Sequence, residues 1–142
     1  MRIAFGADDE NATTQAVAEF LTTAGHDLLK PATSDAWPEI GAAVGRAVVD
    51  GSADFGIVMC WTGTGTAIAA NKVHGVRAAL AWEPWIAAGA RKWNDANVLA
   101  LSLKRLAPDV AVDITRTFLS EEAPDPDEAA NISQLGSLEQ GR

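Results

Sequence analysis

The sequence predicts an α/β protein, a doubly wound domain on a five-stranded parallel sheet. Three observations lead there. Its 142 residues suit one domain. The apolar runs are short and continuous rather than alternating, as in strands covered on both faces. Helical patterns separate those runs, giving a βαβαβαβαβα order that calls for right-handed crossovers.

The first strand is "RIAFG", Arg2–Gly6. A helix follows from Asn11 to Ala24, with Val17, Phe20 and Leu21 at helical spacing and Gly25 as its stop. "HDLLK", His26–Lys30, is a weaker strand. The second helix runs from Pro38 to Val49 and ends at "DG". "DFGIVMC", Asp54–Cys60, is the third strand, and a short helix rich in small residues spans Thr64 to Asn71. "VRAALAW", Val76–Trp82, leads to a helix over Pro84–Lys92. "NVLALS", Asn97–Ser102, leads to the last helix of the domain, Pro108–Leu119. Residues 120–142 form an acidic tail. Within it Ile132, Leu135 and Leu138 recur every three residues. That spacing predicts a helix over Asp127–Leu138 that docks on a surface, expected to be a neighbouring subunit.

Composition narrows the function. The chain is 48% hydrophobic and 21% charged, as for a globular core with a solvated surface. No apolar run approaches the ~20 residues of a membrane span. "MRIAFGADDE" lacks the pattern of a signal peptide. A single cysteine makes no intrachain disulfide, so a reducing cytoplasm is the expected location. The net charge is −8, with no basic stripe for nucleic acid. His26 and His74 stand apart from other ligand types, so no metal site is expected.

The stretch with chemical content is "MCWTGTGTAIAANK", from Met59. In an open α/β sheet, ligands sit beyond the carboxyl ends of the strands. Cys60 ends a strand there, and Gly63 and Gly65 let backbone approach a ligand. Amides at the following helix N-terminus favour negative charge, which biases a thiol towards thiolate. The stretch can therefore supply a base or nucleophile beside oxyanion donors. It can equally be a buried structural cysteine before a tight turn, and spacing alone leaves both open. It is neither a GxGxxG, a Walker sequence nor a CxxC.

The same stretch, with "RIAFGADDE" before it and "RKWNDANVLAL" after it, resembles the type B ribose-5-phosphate isomerase family, which includes the galactose-6-phosphate isomerase subunits. The resemblance runs from Met1 to about Leu119. It implies a Rossmann-like three-layer sandwich and a homodimer or homotetramer with its active site between subunits. It implies aldose–ketose isomerisation of a small-molecule sugar or sugar-like substrate through a cis-enediolate, without metal or cofactor. By position, Cys60 would be the base and Thr62 the ring-opening helper. Gly63, Thr64 and Gly65 would cradle the anion, Asp8 would bind sugar hydroxyls and Asn94 would line the site.

Four departures fall on those positions. Asp9 stands where the family has a histidine, Trp93 where it has a ring-opening histidine, and Trp61 where a glycine follows the cysteine. The tail before Arg142 carries no Arg, Lys or His. A phosphate dianion needs cations or donors, and carboxylates repel it. An altered, unphosphorylated substrate is expected, and Trp61 and Trp93 either line the pocket as stacking surfaces or fill space left by a lost function. Two other readings fit the departures: a non-catalytic sugar-binding or regulatory homologue, and one subunit of a hetero-oligomeric isomerase. Trp37, Trp82 and Trp85 are expected in the core or at subunit contacts. Lys72, Arg77 and Arg91 are expected in structural or surface roles.

Overall fold

The computed structural model describes residues 1–141; Arg142 lies outside them. Five strands form one parallel sheet: β1 (Arg2–Ala7), β2 (Asp27–Leu29), β3 (Phe55–Cys60), β4 (Ala78–Leu80) and β5 (Val98–Ser102). Their spatial order is β2-β1-β3-β5-β4. Five helices connect or follow them: α1 (Ala12–Thr23), α2 (Trp37–Val49), α3 (Thr64–Asn71), α4 (Pro84–Asn94) and α5 (Pro108–Ser120). A 3-10 turn (Pro126–Glu128) and α6 (Ala129–Glu139) make up the tail. The α/β class, the strand count and the parallel pairing are those the sequence predicts.

Side-chain size differs between the two faces of the sheet. Ile3, Phe5, Ile57, Met59, Leu99 and Leu101 fill the face under α1, α4 and α5. Ala4, Val58, Val98 and Ala100 line the other face, under α2 and α3. Gly6 and Gly56 belong to that second face, where an added Cβ would meet Ile40 and Val44 of α2 at 2.6 Å. Small residues therefore let α2 lie close on the sheet. Gly41 lets α2 approach α3 in the same way, since a Cβ there would sit 2.6 Å from the Thr66 carbonyl oxygen.

The site's position follows from topology. The chain leaves β1 over the first face, through α1, and leaves β3 over the second, through α3. Ligands in such sheets bind where the winding reverses, between the carboxyl ends of the two strands. Those ends carry Asp8 and Asp9 after β1 and the Cys60 loop after β3. The Asp8 amide ties the two together by donating to the Met59 carbonyl at 3.2 Å.

Two expectations shift. The strand expected over Val76–Trp82 shrinks to β4, which lies at the sheet edge. There, Asn97 and Asn71 side chains take over its pairing: Arg77 N–H donates to Asn97 Oδ1 at 2.8 Å, and Ala78 N–H to Asn71 Oδ1 at 2.8 Å. The tryptophans are not in the core either. Trp37, Trp82 and Trp85 all face outward.

Candidate functional site

Cys60 is the last residue of β3 and points under α3, on the same face as Val58. Its side chain is 96% covered, with 4% exposure. Thr66, fully buried in the first turn of α3, donates its hydroxyl to Sγ at 3.4 Å. Burial pushes the thiol pKa up. Hydrogen bonds from the Thr66 hydroxyl and from the amides of Thr66, Gly63 and Thr62 outweigh it, and the pKa falls below the ordinary cysteine value. The Thr66 hydroxyl is the donor that reaches the sulfur directly.

Gly63 makes that arrangement possible. It adopts φ 78°, and a Cβ there would lie 2.9 Å from the Leu101 carbonyl carbon. Thr62 closes the turn by accepting from the Thr64 amide at 3.3 Å, and the two threonine hydroxyls meet at 2.6 Å. Thr62 and Thr64 are exposed at the mouth. Gly65, at the second position of α3, has an amide with no partner inside the helix. The Trp37 ring lies over Gly65, with a Cβ position 3.0 Å from its Cε3. A side chain expected at the core or at a subunit contact thus packs against the loop.

Asp8 is half-buried and Asp9 exposed. Partial burial, then the charge of Asp9, raise the Asp8 carboxyl above its ordinary pKa. Asp9 itself accepts from the Glu10 amide at 2.9 Å.

On the other flank, the end of β5 clamps the loop. Ser102 Oγ and the Lys104 amide both donate to the Trp61 carbonyl, at 2.9 and 3.1 Å. Trp61, Thr62, Trp82, Ser102, Lys104 and Arg105 surround a cavity of about 470 Å³. Lys104 Nζ sits 5.2 Å from the Trp61 ring centre, a cation–π contact. Lys104 and Arg105 were not singled out in the sequence, where they read as ordinary loop charges. Their signal is position: both directly follow a strand at the carboxyl edge of the sheet. They place two positive side chains on the wall of the cavity beside the loop.

Trp93 and Asn94 lie elsewhere in the single chain. They end α4, which returns to the amino edge of the sheet before β5. The Trp93 ring covers Gly89 and meets Trp85 edge-on at 5.6 Å. Asn94 lines a separate cavity of about 450 Å³ with Arg77, Ala78, Leu135 and Leu138. One chain thus unites Asp8, Asp9 and residues 60–65 but does not bring Trp93 and Asn94 to them. The rest of that motif is structural. Asp95 adopts φ 49° and pairs with Arg77 at 2.9 Å and Arg91 at 3.4 Å. Arg91 is buried with its guanidinium 4.5 Å from the Phe55 ring centre. Arg77 and Arg91 therefore have the structural roles expected of them.

Among the described residues no group of three or more His, Cys, Asp or Glu is arranged to hold a metal ion. No helix among them is long and apolar enough to cross a membrane.

Comparison with known proteins agrees with this fold. The family model described as Ribose/Galactose Isomerase matches residues 3–135. The chain is 31% identical to D-erythrulose-4-phosphate isomerase of Pectobacterium atrosepticum, over 98% of its own length and 95% of the relative's. It is 30% identical to ribose-5-phosphate isomerase B of Escherichia coli, over 99% and 98%. The structure of ribose-5-phosphate isomerase B from Clostridium thermocellum superposes with a TM-score of 0.93 at 36% identity, covering 99% of each chain. The chain therefore belongs to the ribose/galactose isomerase family of enzymes.

Proposed function

We propose that the chain is an aldose–ketose isomerase in which Cys60 is the base. One observation carries this reading: a buried sulfur at the carboxyl end of β3, ringed by donors that favour its thiolate. The thiolate removes the proton from carbon 2 of an open-chain aldose. The C–H electrons form the enediolate double bond and the carbonyl electrons move onto oxygen 1. Cys60 then returns the proton to carbon 1 while the hydroxyl proton of oxygen 2 passes to oxygen 1, so that the carbonyl forms at carbon 2 and the ketose is left. A base with a depressed thiol pKa is suited to this exchange near neutral pH. Gly65 and the α3 N-terminus offer donors to the enediolate oxygens, each worth roughly 3 kcal/mol when well placed. Thr62 assists ring opening, and Asp8 accepts from sugar hydroxyls.

Trp93 and Asn94 reach this site only from a second copy, in a homodimer or homotetramer. The same geometry bears on substrate choice. Asp8 and Asp9 place negative charge on the β1 side; Lys104 and Arg105 place positive charge on the β5 side. The relatives named above are called isomerases of erythrulose 4-phosphate and ribose 5-phosphate. Here the substrate is a sugar or sugar-like compound held without the family's histidine and tail arginines, and free sugars are preferred.

The test is solvent-deuterium incorporation at carbons 1 and 2, comparing free and phosphorylated sugars. Cys60→Ala should lower exchange at least ~100-fold. Ordinary turnover of ribose 5-phosphate by the wild type would refute the preference for free sugars. A Lys104→Ala/Arg105→Ala variant with raised KM for phosphorylated sugars alone would then identify the phosphate's holders. Trp93, in place of a ring-opening histidine, favours a second reading: a sugar-binding homologue without turnover. Ligand-induced thermal stabilisation with no exchange in any sugar would establish that instead.

A further inference from the structure

Thr66 is a buried polar group that the proposed reaction leaves unused. Its side chain is wholly inaccessible, and its single hydroxyl proton faces two acceptors at nearly equal distance. Cys60 Sγ lies at 3.4 Å and the Gly63 carbonyl at 3.3 Å. One proton cannot satisfy both. The backbone around it is fixed from behind, because Gly41 of α2 packs against the Thr66 carbonyl with no room for a Cβ. The hydroxyl can therefore rotate between its two acceptors while the rest of the residue stays in place.

We infer that Thr66 is a positioning residue for Cys60, whose hydroxyl turns with the protonation state of the sulfur. This deepens the isomerase reading and rests on it. With Cys60 as thiolate, the hydroxyl donates to Sγ, a charge-assisted bond of the stronger kind. When the sulfur takes the substrate proton, S–H becomes a donor and needs an acceptor. The hydroxyl then turns to the Gly63 carbonyl and presents its own oxygen to S–H. The proton count is unchanged: one hydrogen stays on Thr66 throughout, and one travels from substrate carbon to sulfur and back. Each state leaves every buried donor with an acceptor, so neither is burdened with an unmade hydrogen bond. A valine of the same shape would offer neither a donor to the thiolate nor an acceptor to the thiol, and the charged state loses more by it.

The charged groups of the neighbouring elements are Asp8 and Asp9 after β1 and Lys104 and Arg105 after β5, while Glu39 of α2 turns to the segment after β2 and accepts from the Thr33 amide at 3.4 Å. The depressed thiol pKa traces to hydrogen bonds, with the Thr66 hydroxyl foremost among those that lower it, rather than to these charges.

The sequence makes the test clean. Cys60 is the only cysteine and there is no tyrosine, so thiolate absorbance near 240 nm titrates one group without phenolate overlap. The full chain is titrated as wild type, Thr66→Val, Thr66→Ala and Thr66→Ser, with Cys60→Ala as blank. Both hydroxyl-free variants should raise the Cys60 pKa by about one unit, a tenfold loss of thiolate at a given pH below the pKa. Thr66→Ser keeps the hydroxyl and should titrate like the wild type. Alanine suits a helix already rich in it, so Thr66→Ala decides the matter if the valine variant does not fold. In deuterium exchange, the alkaline shift of the kcat/KM profile should match the shift in the titration.

An unchanged pKa in both hydroxyl-free variants, with normal wild-type exchange, would overturn the role of Thr66 and leave the isomerase reading intact. A raised pKa in both, restored in Thr66→Ser, supports it. Absence of exchange in the wild type would count against the isomerase reading alone, since the thiol titration needs no turnover.

Discussion

Asp8 carries a stability cost, which its proposed contact with sugar hydroxyls would explain. Partial burial and the charge of Asp9 raise its pKa. Between its ordinary pKa and the raised one, the folded chain binds more protons than the unfolded chain. Stability therefore falls as pH rises through that window, and the cost persists above it. Asp8→Asn should raise thermal stability at neutral pH, and the gain should vanish in acid. The carboxylate is only partly covered, so the gain is discounted for solvent screening to about 0.5 kcal/mol or less. Sugar binding should weaken at the same time. A melting-temperature series across pH, run beside ligand titration, checks both; an equal loss of stability at every pH would contradict the assignment. Gly63 carries a larger penalty. At φ 78°, with Leu101 backbone 2.9 Å from a new Cβ, it tolerates no side chain. Gly63→Ala should cost about 1–3 kcal/mol, and by moving the loop amides it should raise the Cys60 pKa. Chemical denaturation and the thiol titration read the two effects separately.

At the scale of elements, the edge strand β4 depends on a residue outside it. Asn71, at the end of α3, pairs with both backbone groups of Ala78, at 2.8 and 2.9 Å. At Ala78 it covers the sheet edge as a neighbouring strand would. Asn71→Ala should cost about 1 kcal/mol, the worth of hydrogen bonds whose freed partners can reach water. Amide hydrogen exchange should quicken at Ala78 and not in β1 or β3; uniform quickening would mean that Asn71 supports the whole fold instead. Much of this element-level order was legible in the sequence. Apolar runs and helical periods gave all five strands and the right helix order, because burial on both faces leaves a continuous signature. The length of β4 was not legible, since side chains distant in sequence decide where its pairing stops. Nor were Lys104 and Arg105: only the strand order β3-β5-β4 brings the end of β5 beside the Cys60 loop. The direction of Trp37, Trp82 and Trp85 was not legible for a related reason: core and subunit contact were both open, and the structure rules out the core. Periodicity says that a large apolar residue is present, while its outward direction depends on what covers that face.

For the whole molecule, a second copy would account both for the outward apolar groups and for the distance of Trp93 and Asn94 from Cys60. All five tryptophans are at least 40% exposed, and α6 presents Leu135 and Leu138 to solvent. The tail is anchored on its own chain through Glu139, whose carboxylate accepts from the Gly75 amide at 3.0 Å, yet none of its described residues is buried. Trp93 and Asn94 meanwhile stand at the amino edge of the sheet, away from Cys60. A second copy that supplies them across an interface would cover apolar surface and complete the site together. The consequence is complementation. Cys60→Ala and Asn94→Ala should each be inactive as pure oligomers. A dimer with one subunit of each kind holds one doubly damaged site and one intact site. Random mixing makes half the dimers mixed, so co-refolded variants should recover about a quarter of wild-type exchange. A site contained within one chain would recover none, because every chain would carry one lesion. Deleting residues 120–142 separates the role of the tail. If Ile132, Leu135 and Leu138 also seat on the neighbour, the truncated chain should sediment as a lighter species at micromolar concentration and complementation should fail. If it sediments as the full chain does, the tail belongs to its own subunit, and the other exposed side chains hold the copies together.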